Sequence, residues 1–349
     1  MADPVQILGS YWSLAVGADP STRQYCPHDF RKRVETAARA GFRAMGFWHT
    51  DIAHIRRRYS FKQMKRILDA NGIEHVEVEW LLDWFCTDAR RKASNKTRRL
   101  LLDAAEALGA RHIKIGDLGN DCAGIPQMTE EFALLCRQAA ERGTNVLFEM
   151  LPAAFSRAPS LDAVLAITRG SGARNGGIML DNLHLQRTGT TPADMLRKLT
   201  RRDLIGVEIN DGYLALALKF EDSVINKRLL PGDGEFDIAG FLHAVWALGY
   251  KGPVGVEVIN EYMRLWDLET AARETMRKTR AVVQAAQESF RRRRRARRGD
   301  LLGGLRREPR VLSTVSGVLL KLPEQRSRNL VGVAADRTGG NCPPVEMGE

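Results

Sequence analysis

GIMLDNL, residues 177–183, is an apolar run that ends on a carboxylate at Asp181, with an imidazole three residues further on at His184. A buried strand gains nothing from a charge at its tip, because an unpaired buried carboxylate is costly. Either the run is only entering solvent, or something at its end needs an acid. The pattern recurs nearby: NVLFEML (145–151) carries Glu149, LIGVEIND (204–211) carries Glu208 and PVGVEVIN (253–260) carries Glu257. Four more apolar runs lie upstream: VQILGSYW (5–12), AMGFWH (44–49), HVEVEWL (75–81) and HIKIGDL (112–118).

Amphipathic stretches separate these runs, among them FRKRVETAARAGF, FKQMKRILDANGI, KTRRLLLDAAEALGA, TEEFALLCRQAAERG and DIAGFLHAVWALGY. Several close on Gly or Asn-Gly, the usual left-handed helix stop. MTEEF and SLDAV place a capping residue before a helical run. Strands alternating with helices predict a parallel sheet covered by helices, and eight such pairs close a barrel of about 250 residues. A doubly wound open sheet is the alternative. It is disfavoured because the first strand lacks the glycine fingerprint that such folds use for nucleotides. The expected fold is therefore a single (β/α)8 barrel over 1–290.

The net charge of +11 misdescribes the body of the chain. From Arg291 onward there are 14 Lys and Arg against 6 Asp and Glu, so the remainder holds 53 − 14 = 39 basic and 42 − 6 = 36 acidic residues. Residues 291–349 open with RRRRRARR, which continues the last helix, then break on Gly and Pro without periodicity. They read as a basic extension of low order. No run approaches the ~20 apolar residues of a membrane helix. The N-terminus has no basic segment ahead of its apolar part, so no signal peptide is expected. Five scattered cysteines without CxxC spacing suit free thiols and a cytoplasmic setting.

In a barrel, the C-terminal ends of neighbouring strands converge on one cavity. Acids on strands five to eight would repel one another there unless a cation neutralised them. An all-oxygen set favours a hard divalent metal. One such acid alone is as readily a solvated or salt-bridged residue; the regular set of four is what argues for a site. His184, on the loop leaving strand six, is a candidate substrate contact. Glu79 and Lys114, at the ends of strands three and four, are candidates to line the cavity or to form structural ion pairs. Trp12, Trp48, Trp80 and Trp84 are candidate apolar walls of that cavity, or core.

FEMLP (148–152), NGGIMLDNLHLQRTG (175–189), VEINDG (207–212), RLLPGDGEFD (228–237) and GPVGVEV (252–258) resemble, in order and spacing, the sugar phosphate isomerase/epimerase superfamily with its xylose-isomerase-like barrel. The resemblance covers about 1–285. It implies a metal held from strands five to eight, here by Glu149, Asp181, Glu208 and Glu257. It departs at the third ligand, where family members carry His-x-x-Asp and this chain has EIND. Mn²⁺ or Mg²⁺ would suit the resulting carboxylate set better than zinc. The resemblance further implies that Glu149 and Glu257 face each other across a substrate and exchange its proton next to a carbonyl. His184 and Arg228, the latter in RLLPGDG, would neutralise the enediolate.

The activity this implies is a metal-dependent isomerase or epimerase acting on a small sugar, keto-acid or polyol. An inosose-type dehydratase on the same site is the alternative. Cleavage of abasic DNA, known on the same barrel, is disfavoured because it needs several histidines and only His184 stands at a late strand end. A different class is a degenerate barrel with a polyanion-binding tail, in which the 291–298 arginine block would meet nucleic acid by counterion release. A homodimer is compatible with the resemblance.

Overall fold

The computed structural model describes residues 5–118, 123–215 and 219–305, with side chains to 296. Eight parallel strands close a barrel in sequence order: β1 (Ile7–Gly9), β2 (Ala44–Trp48), β3 (His75–Leu81), β4 (His112–Ile115), β5 (Asn145–Glu149), β6 (Gly176–Asp181), β7 (Leu204–Ile209) and β8 (Val254–Val256). The ring shuts where Ile7 pairs with Val254 and Gly9 with Val256. The expected barrel is borne out. All strands but β3 are shorter than their apolar runs, β1 and β8 most of all. β1 stops at Gly9 because the chain turns into a short helix at Tyr11–Leu14, and β8 stops one residue before Glu257.

Strand side chains alternate between the two faces. Outward positions such as Val76, Val78, Ile113, Val146 and Phe148 are apolar and fully or almost fully buried in one continuous core with the helices. Inward positions are another material. A barrel interior is ordinarily filled by branched apolar residues, whereas here Glu77, Glu79, His112 and Lys114 occupy it and are buried. Glycines make room for them. A Cβ on Gly46 would stand 3.1 Å from Glu77 Oε1, and one on Gly255 would stand 2.6 Å from Glu208 Cγ.

The outer helices are set by local signals. Asp29 caps the helix Phe30–Ala40 by accepting from the N–H groups of Arg31 and Lys32, and Gly41 ends it at φ 105°. Ser60 and Gln63 form a capping box on Phe61–Ala70. The helix expected from MTEEF begins earlier, at Ile125, with Pro126 in its first turn. Proline is preorganised for that position, so Thr129 lies inside the helix. Short helices at His49–Ile55, Asn182–Arg187 and Pro192–Lys198 follow their strands too closely for periodicity to announce them.

Residues up to Arg298 belong to one compact unit. The final helix runs Leu268–Leu305, so the arginine block is helical, as its continuation of the last helix predicted. The helix continues through Gly299, Gly303 and Gly304 to Leu305 rather than breaking at the first of these glycines. The expectation for the rest of the extension lies outside the described residues. Among the described residues no helix is long and apolar enough to cross a membrane.

Candidate active site

Period-two alternation turns Glu149, Asp181 and Glu208 inward at the strand ends, with Asp181 directly opposite Glu208 in the β6–β7 register. The Glu257 N–H donates to the Ile209 carbonyl at 3.1 Å, carrying the ladder one residue past β8. One carboxylate oxygen from each of these four buried residues lies within 4.8 Å of the other three. All four acids singled out in the sequence thus meet at one place.

Two protein cations stand among them. The Lys114 ammonium lies 2.7 Å from Glu79 Oε2, 3.0 Å from Glu208 Oε2 and 3.0 Å from Glu257 Oε1. Arg228 Nη1 donates to Asp181 Oδ2 and to Glu257 Oε2, each at 2.8 Å. Its Nε donates to the Val224 carbonyl at 2.7 Å, fixing the guanidinium plane. Glu149 differs from its neighbours: its closest basic partner is the His184 imidazole, Nε2 at 3.4 Å, and no Lys or Arg among the described residues forms an ion pair with it.

Six buried carboxyls (Glu77, Glu79, Glu149, Asp181, Glu208 and Glu257) therefore face two permanent cations. Titration follows from that imbalance. Burial and the nearby Glu257 push the Glu208 carboxyl well above the usual range. Burial pushes Glu79 up to about 8, although Lys114 opposes the shift. For Glu257, burial acts upward but Lys114 and Arg228 outweigh it, holding the group at about 2. Glu77 is likewise lowered against burial, by Lys114 and by His112, with which it makes a short hydrogen bond. The Lys114 ammonium is held charged, since its four carboxylate neighbours outweigh burial.

His184 sits on the helix Asn182–Arg187 rather than on a loop. Asp181 is that helix's N-cap: its Oδ1 accepts from the Leu183 N–H at 2.8 Å. The same oxygen takes Asn210 Nδ2 at 2.8 Å. Arg228 is brought in by the RLLPGDG loop, which Asp211 ties down by accepting from Gly232 N and Phe236 N. Gly234 is required there, because a Cβ would fall 2.4 Å from Asp211 Oδ1.

Glu79, Lys114, Glu149, His184, Arg228 and Glu257 all border a cavity of about 590 Å³. Its other side is aromatic. Trp12, Trp48 and Trp80 line it, with Trp12 and Trp48 edge to face at 5.0 Å and Trp48 and Trp80 at 5.7 Å. Gly116 allows this packing, since a Cβ would lie 1.9 Å from Trp80 Cζ2. Trp84 is no wall. It is fully buried among Phe85, Phe132 and Phe148, and its indole N–H donates to the Gly116 carbonyl.

Sequence reading missed Ser10, whose hydroxyl donates to Glu208 Oε1 at 2.5 Å, and Asn210, which orients Asp181. It also missed the Glu77–His112 pair beneath Lys114. The signal for that pair was present: HVEVEW and HIKI put polar side chains on one strand face, two residues apart.

Buried oxygen donors gathered this closely, with too few protein cations to balance them, fit a hard divalent ion. The cluster can hold a metal ion. A family model described as xylose isomerase-like TIM barrel matches residues 34–282. The chain belongs to that family. Among curated relatives, 3-dehydroshikimate dehydratase of Pseudomonas aeruginosa is 27% identical over 237 residues, 67% of this chain but 36% of the relative. The chain thus spans about a third of the length of that relative. Two solved structures share the fold. One is a xylose isomerase-like TIM barrel/4-hydroxyphenylpyruvate dioxygenase fusion protein (TM-score 0.66, 21% identity, 79% of this chain and 42% of that one). The other is D-allulose 3-epimerase from Methylomonas sp. (TM-score 0.59, 20% identity, 80% and 100%).

Proposed function

We propose that the barrel removes a proton next to a carbonyl in a small polyhydroxylated ketone and expels a neighbouring hydroxyl as water. The observation that carries this reading is the inequality of Glu149 and Glu257. Glu257 is clamped between Lys114 and Arg228 and held at about 2, which makes it a poor base. Among the described residues Glu149 has His184 alone as an ion-pair partner, and it is the carboxylate of the cluster open to a substrate proton. A site with one base does not match a reaction that returns the proton from the opposite side. Elimination needs one base and one acid.

Glu79 borders the same cavity and, pushed up to about 8, is protonated near neutrality. The proton leaves carbon for Glu149, a carbon–carbon double bond forms, and the departing hydroxyl takes the Glu79 proton to leave as water. Lys114 and Arg228 provide positive potential beside the carbonyl oxygen. A divalent ion held by Glu149, Asp181, Glu208 and Glu257, with Mg²⁺ or Mn²⁺ the best match to oxygen donors, would supply Lewis acidity there. The indoles of Trp12, Trp48 and Trp80 exclude water and receive the apolar face of the substrate. The similarity to a 3-dehydroshikimate dehydratase supports water loss as the outcome.

Isomerisation or epimerisation is the second reading. It is favoured by Glu149 and Glu257 both bordering the cavity, and the fold is shared with an epimerase. Incubation of the full chain with Mn²⁺ in D₂O, with 3-dehydroshikimate, an inosose and simple ketoses, separates the two by NMR. New alkene or aromatic signals are the expected result. Deuterated substrate without loss of water would give the site to an epimerase, and no exchange in any compound would sink both readings.

A further inference from the structure

We infer that Lys114 takes Glu208 out of the metal's coordination shell, so that the ion is held by Glu149, Asp181 and Glu257 alone. The inference rests on the reading that this acid cluster binds a divalent ion, and it changes which residues do so. Both Glu208 oxygens are engaged by one ammonium, Oε1 at 3.1 Å and Oε2 at 3.0 Å. Oε1 also accepts from Ser10 at 2.5 Å. An ammonium has three donors. Lys114 donates to both oxygens of Glu208 and to Glu257 Oε1, three acceptors for three donors, while Glu79 Oε2 stands 2.7 Å from the same nitrogen without a hydrogen bond.

Position separates Glu208 from Glu149 and Glu257. Glu149 and Glu257 border the large cavity, as Lys114 does. Glu208 borders instead a gap of about 10 Å³ inside the barrel, beside Glu77, His112 and Tyr250. Asp181 and Glu257 share a single Arg228 nitrogen between them, and Lys114 reaches only one oxygen of Glu257 where it engages both of Glu208. A dication entering from the cavity displaces a shared N–H more readily than a buried ammonium with all its donors engaged. The chain has therefore exchanged a ligand for an internal ion pair: Glu208 on β7 answers Lys114 on β4.

Mn²⁺ binding to the full-length protein, measured by calorimetry and by the electron paramagnetic resonance of free Mn²⁺, tests this without reference to turnover. Glu208→Gln keeps the shape of the side chain and is expected to leave the Mn²⁺ Kd within threefold of the parent. Asp181→Asn is expected to abolish binding. Lys114→Met is expected to bind at least tenfold more tightly, because it frees Glu208, and Lys114→Met/Glu208→Gln is expected to lose that gain. A tenfold or greater weakening in Glu208→Gln would overturn the inference, and so would a parent that binds no Mn²⁺. Should Lys114→Met fail to fold, Glu208→Gln still decides. Mn²⁺ binding as expected, without turnover of any ketone, would sink the dehydration reading and leave this assignment standing.

Discussion

At the mouth of the barrel, β1 to β3 lead into Trp12, Trp48 and Trp80, whereas β5 to β8 end in Glu149, Asp181, Glu208 and Glu257. Both sides border or underlie one cavity, yet they are built of opposite materials. The aromatic side carries little charge and keeps water away, which lowers the local dielectric and strengthens every charge opposite it. The acidic side carries the groups proposed to move protons, and two buried cations offset part of its charge. Lys114 and Glu79 stand at the seam, on β4 and β3. Affinity and chemistry are thus assigned to different halves, and that division can be attacked from either side.

The largest effect is expected from Glu149→Gln, which removes the one carboxylate of the four-acid cluster without a Lys or Arg partner among the described residues. Turnover should fall about 10³-fold, the usual weight of a positioned base, with the thermal midpoint little changed. Retained turnover would mean that the acidic half has another base. Chelation by EDTA follows, with a loss of about 10²-fold that Mn²⁺ or Mg²⁺ restores, as a Lewis acid worth a few kcal/mol requires. Activity unmoved by chelation would leave Lys114 and Arg228 as the sole electrophiles.

Glu79→Gln tests the seam, with an expected loss of about 30-fold. The parent needs Glu79 protonated, so kcat should fall as pH rises through about 8, and this limb should vanish in the variant. The sign for stability agrees. The folded state holds this proton more tightly than the unfolded chain, so the contribution is full below the ordinary value of 4.5 and is lost as pH rises through about 8. A parent profile flat to pH 9 would remove Glu79 from the acid role. The smallest effect is expected from Gly116→Ala, whose methyl collides with the Trp80 ring. KM should rise about fivefold with kcat nearly constant, at a stability cost of about 1–3 kcal/mol for overpacking. A drop in kcat comparable to that of Glu149→Gln would break the division of labour between the halves.

Much of this was legible in the chain, unevenly. The barrel and the four convergent acids follow from period two and from element order, which are properties of each strand by itself. His184 was marked by its spacing from Asp181, whereas Arg228 was found through the resemblance; nothing local marks a loop arginine as the partner of Asp181 and Glu257. The cation economy was not legible. Four acids were expected to require a metal, whereas Lys114 and Arg228 supply part of the neutralisation, across distances of 94 and 143 residues for Lys114 with Glu208 and Glu257. Glu149 and Glu257 look alike in their strands, and only the partners contributed by other strands make one open and the other clamped. Trp84 shows the same limit: four tryptophans near strand ends look equivalent until packing sends one of them into the core.

Asp181 both begins the helix that bears His184 and stands in the acid cluster. Asparagine is as good a helix cap as aspartate. Loss of the charge at this position therefore keeps the cap, the strand and the turn while it removes the Asp181 partner of Arg228, so on the proposed reading a catalytically silent descendant of this barrel lies one residue away. A change to alanine would be exposed by instability and purged, whereas the change to asparagine would persist. In any set of related barrels, the residue at this cap is the place where retention of chemistry can be told from mere retention of shape.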